Sequence, residues 1–104
     1  MTTFSDAPWD TPESDLDVSA FCSVCLVDMN ASGADKVKGK CHLPIRKEPG
    51  GPVYKAALRN AAARLPQTGI PAEEKRKAAR RLVRLMREAG MEVGEVTRKA
   101  AGVK

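Results

Sequence analysis

The stretch "AEEKRKAARRLVRLMREAG", residues 72–90, decides how the rest of the chain is organised. Wound at about 100° per residue, it gathers Ala78, Ala79, Leu82, Leu85, Met86 and Ala89 on one face, and Arg76, Arg80, Arg84 and Arg87 form a stripe on the other. This division predicts an amphipathic helix whose apolar side needs a partner. Pro71 opens it and Gly90 is a ready C-cap, while Glu73 and Lys77, four apart in the favourable order, add roughly 0.3 kcal/mol. Burying Leu82, Leu85 and Met86 at roughly 1.5–3 kcal/mol each outweighs any exposed ion pair. Packing therefore holds this helix, and the arginines are left to solvent or to a partner.

The partner helix lies upstream. "VYKAALRNAAARL", residues 53–65, spaces Tyr54, Ala57, Leu58, Ala61 and Leu65 helically, and its alanine-rich face permits close approach. "KEPGGP" before it is a loop ending on Pro52, and "PQTGIP" after it is a break, so the two helices are predicted to form an antiparallel hairpin. Before them, "CLVDMN" at 25–30 and the alternating "VKGKCHLPIR" at 37–46 read as extended segments. The turn-forming "NASGAD", with Gly33, joins them into a β-hairpin. "DTPESDLD" at 10–17 reads as a helix start, with Thr11 as cap, Pro12 in the first turn and Glu13 and Asp15 at the positive end of the dipole. It predicts a short helix from Pro12 to Phe21 with Leu16, Ala20 and Phe21 inward.

The expected fold class is therefore α+β: a small single domain over residues 11–90 with a short N-terminal helix, a small β-hairpin and a C-terminal antiparallel helical hairpin. Residues 1–10 are expected to be a disordered acidic arm, and residues 91–104, which have room for one more short helix but carry two glycines, a flexible basic tail. With 104 residues, one Trp, one Tyr and two Phe, the core must be thin, and such a core gains from a metal or a partner.

Charge is polarised along the chain. Residues 1–35 hold seven acidic residues and no Lys or Arg, whereas residues 36–104 hold all 18 basic residues against six Glu, for a net charge of +5 overall. An acidic arm and a basic body imply partners of opposite charge, another copy of this chain among them. Phe4 and Trp9 stand out in the arm; they either anchor on a partner or fold back onto the chain's own core. The N-terminus has no secretory pattern, and no run reaches the roughly 18 apolar residues of a membrane span. A reducing cytoplasm is the expected compartment.

The cysteines are spaced C-x2-C-x15-C-H. Cys22, Cys25, Cys41 and His42 are the right types and number for tetrahedral zinc. Against this, Leu26 and Val27 follow the first pair where a zinc knuckle has turn formers. Cys41 and His42 are also adjacent, so an extended strand would point them to opposite faces. Two alternatives stay open: reduced cysteines filling a small core, and a redox or disulfide role. In a reducing compartment thiols or a metal site are favoured over a disulfide, and Asp28 beside Cys25 raises a thiol pKa, the wrong direction for a redox CxxC.

No catalytic residues are assigned. One histidine has no Ser-His-Asp set to serve, and "EPGGP" lacks the lysine and strand-to-helix context of a phosphate loop, so no small-molecule substrate is expected. Arg76, Arg80, Arg84 and Arg87, supported by Lys77 and Arg81, suit phosphates or an acidic protein surface. No aromatics interleave with them, which disfavours stacking on single strands, and no helix-turn-helix turn joins the helix pair.

Taken together, "CLVD", "KVKGKCHLPIR", "GGPVYKAALRNAAARL" and "KRKAARRLVRLMREAG" resemble a small uncharacterised bacteriophage and prophage domain found in or beside head-morphogenesis proteins such as prohead proteases. The resemblance covers roughly residues 10–90. It rests on Cys25, Asp28, Leu43, Pro44, Arg46, Ala61 to Ala63 and Arg81 to Leu85. Cys22, Cys41 and His42 lie outside its pattern, so zinc would be particular to this chain. What the resemblance implies is a virion-assembly context, with the protein in the host cytoplasm during assembly or in the virion, and no reaction. The expected function is a non-enzymatic, capsid-associated binding protein; the alternative is a zinc-stabilised basic regulator that binds nucleic acid.

Overall fold

The computed structural model describes residues 2–30 and 35–102. In chain order it contains β1 (Phe4–Ser5), α1 (Val18–Val24), β2 (Cys25–Asp28), β3 (Cys41–Pro44), β4 (Val53–Tyr54), α2 (Lys55–Arg64), α3 (Ala72–Glu88) and α4 (Glu95–Ala101). This is the expected α+β arrangement of a small antiparallel hairpin and a C-terminal helical pair. Strands β2 and β3 pair with Cys25 opposite Pro44, Val27 opposite His42 and Asp28 opposite Cys41. The pairing continues beyond the ladder, since the Ile45 N–H donates to the Val24 carbonyl at 3.0 Å. Part of the turn expected between these strands, Gly33 included, lies outside the described residues.

Helix α3 buries Ala78, Ala79, Leu82, Leu85 and Met86 as its pattern requires, and it also buries Val83, at the edge of the arginine stripe. It packs on α2 through the alanine face, where Ala57, Leu58 and Ala61 are buried. The main core joins these side chains to Leu26, Val27, Leu43, Ile45 and Val53 of the strands and loops. Phe21, Cys22, Cys25 and Cys41 form a second, smaller cluster under α1. Gly90, just past α3, takes φ +73°, the left-handed conformation that favours glycine at a helix end.

Three expectations change. Helix α1 begins at Val18 and not at Pro12, because Asp17 takes the cap: its carboxylate accepts from the Ala20 N–H at 2.8 Å. Upstream, the Asp15 and Leu16 N–H groups close onto the Pro12 carbonyl as turns. Ser and Asp side chains compete for backbone groups in this way and favour turns over helix interiors.

The acidic arm is laid on the body. Strand β1 pairs in parallel with β4, Phe4 opposite Val53. The Trp9 ring stands 5.4 Å from that of Tyr54, and Asp6 pairs with Lys55 at 3.1 Å. Phe4 and Trp9 are thus partly buried against the chain's own core, the fold-back alternative of the two.

The C-terminal segment contains a helix. Thr97 and Ala101 of α4 are buried, Ala101 completely, and α4 packs on α3. The two glycines expected to loosen this segment instead bracket it. Gly94 stands at the N-cap, and Gly102, at φ +76°, ends the helix in the left-handed conformation.

Candidate functional site: an arginine face and a cysteine cluster

The arginine stripe follows from α3. Arg76, Arg80, Arg84 and Arg87 are all exposed, and at 1.5 Å rise per residue the row runs about 16 Å along the helix. Among the described residues none of the four makes a salt bridge; the ion pairs are Lys36–Asp28, Lys55–Asp6, Lys77–Glu74 and Lys99–Glu95. Lys77 therefore pairs with Glu74 three residues back, at 3.7 Å, and not with Glu73. The four arginines are not equivalent, because the Arg80 Nε donates to the Ala101 carbonyl at 3.1 Å and so caps the end of α4.

Arg81, half-buried beside the stripe, extends it toward the hairpin. Burial, together with the nearby charges of Arg46 and Arg84, holds its guanidinium below the usual range. Like charges gathered without a counter-charge raise the local positive potential, which is what an anionic partner would relieve. Arg46, from the "LPIR" segment, is distant from this face in sequence, and only the fold brings its charge near Arg81. Its own Nε donates to the Gly51 carbonyl at 3.0 Å.

The four residues considered for zinc are not brought together. Cys22 and Cys41 are joined in a disulfide, with Cα atoms 5.3 Å apart, which corrects the expectation that all three cysteines remain thiols or metal ligands. The bond ties the last turn of α1 to the start of β3. Cys25 is free and buried. Burial, reinforced by the charges of Asp28 and Glu13, pushes its thiol up to about 12, so it is neither a nucleophile nor a ready ligand near neutral pH. His42 lies opposite Val27 in the ladder while Cys41 lies opposite Asp28, so strand alternation turns the imidazole away from the sulfurs.

The group that does converge is Cys22, Asp28 and Cys41, whose ligand atoms lie within 4.8 Å of one another; these are metal-ligating types, but the two sulfurs are bonded to each other and only their thiolates would bind a metal. Asn30 knits it together. Its Nδ2 donates to Asp28 Oδ1 at 2.7 Å and reaches the Cys41 Sγ at 3.3 Å, while its Oδ1 accepts from the Val37 N–H at 2.8 Å. Lys36 closes the other side on Asp28 Oδ2 at 2.8 Å. These donors hold the Asp28 carboxyl down at about 2, with the Lys36 bond the largest cause and the Asn30 backbone N–H next. The sequence signal for this cluster is the Asp-x-Asn at the end of a strand; Cys41 arrives only through the hairpin register and Cys22 only through the packing of α1.

Beside it, a cleft of about 400 Å³ is lined by Trp9, Phe21, Lys38, His42, Asn60 and Arg64 among others. No membrane-crossing helix is present: among the described residues none is long and apolar enough. Comparison with protein-family models, with characterised proteins and with solved structures finds no match.

Proposed function

We propose that this is a non-enzymatic binding protein of bacteriophage virion assembly, associated with the capsid, that docks an acidic protein surface through the arginine face of α3. The observation that carries the reading is the exposed row Arg76, Arg80, Arg84 and Arg87, free of ion pairs among the described residues and backed by Arg81 and Arg46. Surfaces of one sign steer partners of the other sign and fix their orientation. The phage context rests on the resemblance of residues 10–90, with "LPIR" leading into the helical hairpin as its most specific part.

Two features favour a protein partner over nucleic acid. The connection from α2 to α3 runs from Leu65 to Pro71 through a 3-10 turn, longer than the three or four residues of a helix-turn-helix. The aromatic rings are spent elsewhere, Phe21 buried and Phe4, Trp9 and Tyr54 packed against the core, so none stands beside the arginines to stack on bases. Co-sedimentation with procapsids of the same phage, against a salt titration on duplex DNA, tests the choice. The proposal expects sedimentation with the capsid that weakens as salt rises; tight, salt-dependent DNA binding without capsid binding would favour the regulator instead.

A further inference from the structure

We propose that Cys22, Cys41 and Asp28 form a zinc site that is available only when the Cys22–Cys41 disulfide is reduced, so that the disulfide and the metal are alternative staples for the same corner of the fold. This site does not depend on which partner the arginine face takes.

The geometry supplies three ligands of suitable type from three elements. Cys22 comes from α1, Asp28 from the end of β2 and Cys41 from the start of β3, and their ligand atoms already lie within 4.8 Å of one another. The hairpin register seats Asp28 opposite Cys41. Tetrahedral zinc takes Cys at about 2.3 Å and Asp at about 2.0–2.2 Å, which separates two thiolate sulfurs by about 3.8 Å. With the two Cα atoms 5.3 Å apart, rotation of the cysteine side chains reaches that spacing with the backbone in place.

The surroundings suit an oriented metal site. Asn30 holds Asp28 and points its amide at the Cys41 sulfur, with its own oxygen fixed by the Val37 N–H; outer hydrogen bonds of this kind orient ligands and tune their basicity. Lys36 has to leave Asp28 Oδ2 for the metal to enter, and a water completes the four positions. Neither Cys25 nor His42 takes part, which separates this set from the Cys-x2-Cys, Cys-His set suggested by spacing alone.

The exchange balances with a dithiol reductant. Attack by the dithiol breaks the S–S bond; two electrons and two protons pass to Cys22 and Cys41, and the reductant becomes a disulfide. Zinc then displaces both thiol protons to solvent. A disulfide oxidant reverses the exchange: it takes two electrons from the two thiolates and two protons from solvent and leaves as a dithiol, the Cys22–Cys41 bond re-forms and the metal is expelled.

The test is equilibrium dialysis of the full chain against Zn²⁺, oxidised or reduced with a dithiol, with Co²⁺ substitution to read sulfur-to-metal charge-transfer absorption. The reduced protein should take up about one equivalent and the oxidised protein at least roughly tenfold less. Asp28→Asn should weaken the reduced protein's affinity at least roughly tenfold, while Cys25→Ser and His42→Ala leave it unchanged. Zinc uptake equal in both redox states overturns the proposal, as does loss of binding in Cys25→Ser or His42→Ala with none in Asp28→Asn. The oxidised wild-type protein provides the sulfur-blocked control without any cysteine substitution in the site.

Discussion

Asp28 carries the hairpin's polar end: its Oδ1 accepts from the backbone and side-chain N–H groups of Asn30, and its Oδ2 accepts from Lys36. Its carboxyl lies below its unfolded value of 3.8, at about 2, so the stabilisation is present above the unfolded value and is lost as the pH falls from about 4 toward 2. In acid titrations followed by urea denaturation, wild type should lose stability across that window, and Asp28→Asn should be flatter there. Cys25 shifts the opposite way, from 9.0 to about 12. Its contribution is present below 9 and is lost as pH rises toward 12, because only the unfolded thiol ionises there. The same shift leaves Cys25 with far less thiolate near neutral pH than a free thiol. A thiol reagent should therefore label Cys25 only on unfolding, which mass spectrometry can follow. Sequence made the direction of the Cys25 shift legible through the neighbouring aspartate. The Cys22–Cys41 bond was not legible, because it depends on where α1 ends relative to the β2–β3 register.

Helix α3 was readable because 17 residues repeat one apolar period between a proline and a glycine. Leu82 is fully buried at its centre, and Leu82→Ala should cost about 2–5 kcal/mol in chemical denaturation. Helix α4 was only weakly readable: room for one more short helix is visible, but seven residues with two buried positions four apart are too short for periodicity to outweigh two glycines. The packing is nevertheless close, since Ala101 has no exposed surface and Arg80 caps its carbonyl. Ala101→Leu should then destabilise by about 1–3 kcal/mol through overpacking; no change in the denaturation midpoint would mean that this segment is as loose as its composition suggests. Strand β1 was beyond reach for another reason. Two residues carry no pattern, and their pairing with β4 is a tertiary contact between segments nearly fifty residues apart in sequence.

Across the molecule, the charge asymmetry could be counted from the sequence, but its arrangement could not. The acidic arm neutralises little of the basic body: Asp6 takes Lys55, and Arg76, Arg80, Arg84 and Arg87 of α3 stay exposed and without carboxylate partners among the described residues. The fold thus gathers four exposed arginines on one helix, a surface that would attract a partner of opposite charge. Because Arg80 also holds α4, the informative variant reverses Arg76, Arg84 and Arg87 to Glu and leaves Arg80 in place. Its urea denaturation should match that of wild type, so that any loss of binding is read from the surface alone. The decisive measurement is co-sedimentation of wild type and this triple variant with procapsids at low and high salt. Wild type should pellet with the capsids at low salt and release as salt rises, and the variant should bind roughly tenfold more weakly or worse; equal binding by both proteins, unaffected by salt, would contradict the account.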